Sequence, residues 1–196
     1  MSKKSKDKLV EQLVQKSREA FIMGLEVFNK PTLKYRVEGF VFFVCNAWEL
    51  MLKAEMVKQL GEGSIYFKDH PERTISISKA IEKVFTNDKD PLRKNLEKIV
   101  ELRNTSTHFI TEEYGIIYAP LFQACVINFC NKMNEFHGVD IAENIPDSFL
   151  TLSINIGDFT DEAVRAKYST ELAEKLISYR NDLAVLEKEE SNPKFS

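Results

Sequence analysis

The chain has 196 residues, 43% of them hydrophobic and 29% charged, the length and balance of one folded domain with a sizeable core. Twenty-seven basic against thirty acidic side chains leave a formal charge of −3. That excludes a global attraction to polyanions and leaves any nucleic-acid binding to a local patch. The longest apolar run, Gly39 to Trp48, is too short to span a bilayer, so no membrane partner is expected. The basic start has no apolar core behind it and does not read as an export signal. The three cysteines, Cys45, Cys125 and Cys130, sit in apolar runs with no CxxC pair. Buried, reduced thiols and a cytoplasmic location are the expectation.

In chain order, apolar residues recur at helical spacing from about 5 to 29, including Leu9, Leu13, Phe21, Leu25 and Phe28, and Asn29-Lys30-Pro31 stops that helix. Thr32 is a candidate cap for a second helix running to about Leu60, with Gly61 as its stop. Its stretch Val37 to Trp48 is apolar on nearly every side, which suits a bundle centre or a subunit interface. Further along, Asn46, Glu49 and Lys53 share one face, and Glu49 with Lys53 is a favourably oriented i,i+4 pair, on spacing alone a solvated salt bridge. Residues 61–75 read as irregular, with a short extended piece at Ser64–Phe67 and a turn at Asp69-His70-Pro71. A short helix covers about Ile77 to Phe85. Asp90 followed by Pro91 is a cap with proline at the first helical position, opening a helix through at least Arg103. Another helix spans about Ala119 to Phe136, with Gly138 past its end and His137 where a cation is favoured by the helix dipole. Leu150, Leu152, Ile154 and Ile156 alternate with polar residues as in a strand. Thr160 can cap a short helix, and a final charged helix covers Thr170 to about Glu190. The expected fold is all-α, a bundle of four to five main helices over residues 1–145. A C-terminal extension over 146–196, a short extended segment plus helices, packs on the same domain.

The chain lacks the P-loop, dinucleotide, nucleophile-elbow and zincin motifs, and its three histidines are far apart, so neither a metal nor a cofactor is expected. What remains is Arg103-Asn104-Thr105-Ser106-Thr107-His108. It combines a permanent cation with a side chain that titrates near neutrality, separated by small polar residues that form helices poorly. In a straight helix the two would diverge by about 140°, so either the polar break bends the backbone or a second copy of the chain completes the site. Arg93, Lys94 and Lys98 form the nearest thing to a basic patch leading into this segment, a weak candidate for RNA contact. Asn46, Glu49 and Lys53 offer a polar face to support it.

Arg103-Asn-x-x-x-His108 at the end of such a helix resembles the Arg-x4–6-His motif of the HEPN superfamily. The Glu49-x-x-x-Lys53 pair is similar to a second polar signature of some of its families. The likeness covers about residues 10–137, and the wording around both motifs is similar to an uncharacterised bacterial branch. The resemblance implies a helical bundle that dimerises and places two motifs across one cleft. It also implies a metal-independent endoribonuclease of toxin or antiphage systems, working with an antitoxin or other defence protein. On that reading His108 is the general acid or base and Arg103 holds the phosphate, while Asn104, Glu49, Lys53 and Asn46 support them. Because some members have lost activity, a non-catalytic module that binds a nucleotide or a protein partner is the alternative.

Overall fold

The computed structural model describes residues 3–105 and 118–141, together with Glu174, Ile177, Ser178 and Asn181. The chain is an all-α bundle. Among the described residues its helices are α1 (Lys3–Phe28), α2 (Arg36–Leu60), α3 (Ile77–Val84), α4 (Pro91–Thr105) and α5 (Ala119–His137), with a 3-10 turn at Glu62–Ile65. No helix among these residues is long and apolar enough to cross a membrane.

The first two helices form an antiparallel hairpin that frames everything else. Ser17 Oγ donates to the Ala47 carbonyl at 2.7 Å and Lys6 Nζ to the Lys58 carbonyl at 2.7 Å. Two glycines let the helices approach closely. A Cβ on Gly24 would come to 3.1 Å from Val44 Cγ2, and one on Gly39 to 2.7 Å from Val27 Cγ1. The core then builds across α2 to α5. Phe21 stacks on Phe129 with centroids 4.2 Å apart, Trp48 meets Phe129 edge-on at 5.4 Å, and Trp48 Nε1 donates to Cys125 Sγ at 3.2 Å. Each fully buried large side chain of this kind contributes about 1.5–3 kcal/mol from burial.

Local chemistry explains the boundaries. Asp90 Oδ1 accepts from the Leu92 amide at 2.9 Å, so the expected cap opens α4. Gly138, at φ 66°, closes α5 in the left-handed conformation that a Cβ disfavours. Thr32 does not cap α2, which starts four residues later at Arg36. The Leu33 amide bonds instead to the Lys30 carbonyl at 3.0 Å, a turn with Pro31 in its second position, where the ring's fixed φ favours it. Of the expected extended piece at Ser64–Phe67, Ser64 and Ile65 join the 3-10 turn, while Tyr66 is extended and forms an isolated antiparallel bridge with Thr74 that closes the loop.

The expected strand at 150–156 and the helix cap at Thr160 fall outside the described residues. The expected last helix is helical at its four described positions, and Ile177 is 8% exposed and belongs to the core.

Candidate functional site

Helix α4 carries the first half of the site. Leu96, Ile99, Val100 and Leu102 are buried, and the buried Asn95 donates from Nδ2 to the Leu121 carbonyl at 3.1 Å, fixing α4 against α5. This register leaves Arg103 half-buried at the helix end and Asn104 exposed. Arg103 Nε and Nη2 both donate to Asn104 Oδ1, at 3.3 and 3.2 Å. The amide therefore sets the plane of the guanidinium. The expected break begins later than Asn104, because α4 continues through Thr105. The Thr105 hydroxyl satisfies the last turn by donating to the Glu101 and Leu102 carbonyls, at 3.0 and 3.2 Å. His108 lies outside the described residues.

Helix α2 supplies the second half. Cys45 lies between the two halves and feels the charge of each. Burial drives its thiol pKa up to about 12, the Arg103 charge opposes that rise, and the Glu49 charge adds to it. A thiol whose Sγ lies 3.9 Å from the Ile99 carbonyl thus stands within electrostatic reach of both groups. The Glu49–Lys53 pair is not the solvated bridge that spacing suggests. Lys53 is 4% exposed, and its Nζ lies 2.5 Å from Glu49 Oε1 and 3.0 Å from Thr74 Oγ1. The lysine is covered because the loop closed by the Tyr66–Thr74 bridge lies over it. It locks Glu49 in place and is too buried to touch a large ligand itself. Asn46 is exposed on the same stripe.

Sequence reasoning misses two residues of this stripe. Counting back from Asn46 in steps of four gives Phe42 and Glu38. With Asn46, Glu49 and Lys53 they fall within an arc of about 80°. Both lie inside the run that reads as apolar on nearly every side, which hides them. Extending the i,i+4 series toward the helix start would find them. Phe42 is 60% exposed, whereas Glu38 is 9% exposed and its Oε2 is buried with no hydrogen-bond partner. Burial pushes the Glu38 carboxyl above its ordinary value, against a smaller opposing effect of its own backbone amide. Phe42, Glu38 and Arg103 line one groove.

The basic residues of α4 have other company. Arg93 Nε contacts Glu97 Oε1 at 2.8 Å and its Nη1 donates to the Phe85 carbonyl at 3.0 Å, which ties α4 to the end of α3. Lys98 pairs with Glu101 at 3.1 Å. Lys94 is half-buried, and its amide donates to the Asp90 carbonyl at 3.0 Å in the first turn of the helix. The two glutamates offset much of this patch's positive field.

His137 departs from the helix-dipole expectation. Burial holds its pKa below the ordinary value, against a smaller effect of its contact with the Met51 carbonyl. The cation at the end of α5 is supplied instead by Lys58, whose Nζ donates to the Phe136 carbonyl. Cys45 and Cys125 are buried free thiols and Cys130 is a half-buried one. Burial raises all three pKa values, that of Cys130 to about 11.

No curated protein and no solved structure matches the chain. A family model does: DUF3644, described as a domain of unknown function, matches residues 12–186. That span takes in α2, α3, α4 and α5 entire and most of α1. The chain belongs to the DUF3644 family.

Proposed function

We propose that this chain is a metal-independent endoribonuclease of the HEPN type, acting as a toxin or antiphage effector. The observation that carries the reading is that Arg103, at the end of α4, lines one groove with Glu38 and Phe42 of the α2 stripe, with the charges of Arg103 and Glu49 both acting on the buried Cys45. His108 follows Arg103 by five residues in the sequence. In this mechanism His108 takes the proton from a ribose 2′-hydroxyl, which attacks the adjacent phosphorus, and a protonated histidine returns a proton to the departing 5′-oxygen. The products are a 2′,3′-cyclic phosphate and a 5′-hydroxyl. Arg103 stabilises the charge that builds on the phosphorane oxygens. Asn104 holds the guanidinium in plane through its Oδ1, and Lys53 fixes Glu49 behind it.

One histidine acting as both base and acid suits two copies of the chain across a shared cleft, so the working form is a homodimer with a composite site. A toxin of this kind also needs a partner protein that restrains it. The test is RNA cleavage by purified protein in EDTA. Cleavage that leaves cyclic-phosphate ends and falls about 100-fold or more in His108→Ala and Arg103→Ala is the expected result. Cleavage lost in chelator, or kept in His108→Ala, overturns the mechanism. Absence of cleavage with RNA binding that needs Arg103 makes the chain a binding module instead.

A further inference from the structure

The cleavage chemistry uses Arg103 and leaves the rest of the groove at the start of α2 without a role. Its volume is about 380 Å³, and Val27, Leu33, Tyr35, Glu38, Phe42 and Arg103 line it. That volume lies within the range of small-molecule sites, about 300–1,000 Å³. Gly39 also lines the groove. Tyr35 and Phe42 are 66% and 60% exposed, and flat rings open to solvent are stacking platforms for unpaired bases.

Apolar walls alone would name no occupant; Glu38 does. It is 9% exposed, and its Oε2 is buried without a partner. A buried acceptor left unsatisfied is costly, and its natural complement is a ligand carrying hydrogen-bond donors. Arg103, on the same groove, adds a cation suited to phosphate. Rings, a carboxyl and a guanidinium around one groove correspond to the base, the base edge and the phosphate of a nucleotide. Among the four bases, guanine offers two adjacent donors, N1–H and N2–H, to the two oxygens of a carboxylate. Adenine and cytosine offer one amino group, and uracil a single ring N–H.

We propose that this groove is a guanine subsite for single-stranded RNA, with the base stacked on Phe42 and Tyr35, its N1–H and N2–H donating to Glu38, and its phosphate at Arg103. The inference rests on the ribonuclease reading and names the nucleotide that the same site selects.

The experiment measures binding of the four nucleoside 3′-monophosphates, and of inosine 3′-monophosphate, to the full chain by calorimetry in EDTA, beside RNA cleavage by the same preparation. The guanine nucleotide is expected to bind about tenfold or more tighter than the others. Inosine monophosphate, which lacks the N2 amino group, binds more weakly than the guanine nucleotide. Glu38→Gln erases that preference, while Phe42→Ala weakens all five ligands about fivefold or more. Equal binding of all the nucleotides, no binding, or a preference untouched by Glu38→Gln overturns the proposal. So does a change in assembly mass in Phe42→Ala with binding unaltered, which makes the groove a contact between copies. Guanine preference without cleavage removes the ribonuclease reading and leaves the subsite, whereas cleavage without preference does the reverse.

Discussion

The two faces of α2 are built on opposite principles. One carries Phe40, Val44, Ala47, Trp48 and Met51, all at 0% exposure. The other carries Glu38, Phe42, Asn46, Glu49 and Lys53. On the first face every large group is covered, and even the indole N–H has a partner in Cys125. On the second an aromatic ring stands in solvent and a carboxyl oxygen is buried without a partner. Packing energy explains the first face completely. It argues against the second, since a buried carboxyl oxygen without a partner and an exposed ring both weigh against folding. Features kept at a cost to stability are those where function is the better explanation.

That contrast can be broken by mutation. The largest stability effect belongs to the covered face. Trp48→Ala removes the ring packed on Phe129 and strands its neighbours around a cavity, and should cost about 3–5 kcal/mol, read as a fall in the denaturant midpoint. Next comes Lys53→Met. It preserves the bulk of the side chain but leaves Glu49 without its partner, for a loss of about 1–3 kcal/mol. Glu49 keeps some access to water, which holds the figure below that for a fully buried pair. A melting temperature unchanged in Lys53→Met would return the pair to the status of a surface bridge.

Glu38→Gln should act the other way. A carboxyl whose folded pKa is raised is protonated in both states well below 4.5, its ordinary value. As pH rises past that value the unfolded chain ionises first, which opposes folding, and the penalty stays in place above the folded pKa. The substitution should therefore raise the melting temperature at neutral pH and leave it unchanged at acid pH. A fall at neutral pH would show that the carboxylate is held by a favourable contact. The smallest effect is at His137, whose folded pKa lies below its ordinary value of 6.5. Above that value the imidazole is neutral in both states. As pH falls through it, the unfolded chain takes the proton first and stability is lost until the folded histidine also titrates. His137→Gln should flatten that stretch of the stability–pH curve.

The helices are legible in the sequence because their signals are local. Asp90-Pro91 and Gly138 act through backbone groups within a turn of themselves, so capping rules find them. The start of α2 is misplaced by those rules because Thr32 competes with the turn that Pro31 favours, and only the backbone shows which wins. Arg103 and the Asn46–Glu49–Lys53 face stand out as polar groups among apolar ones. What a sequence does not display is burial. Lys53 and Glu38 are both buried, yet one has two partners and the other has an oxygen with none. That difference depends on where residues 66–74 cross α2, a contact between segments distant along the chain.

Cys45 has a practical consequence. Burial pushes its thiol far above the ordinary value, so little of it is thiolate at neutral pH, and only the thiolate reacts readily with an alkylating reagent. Cys125 is buried as well, and burial raises the Cys130 thiol in the same direction. A cysteine placed on the exposed rim of the groove, as in Tyr35→Cys, would therefore be modified far faster than any of the three natural ones. A fluorophore or spin label could then be attached there while the native thiols stay in place.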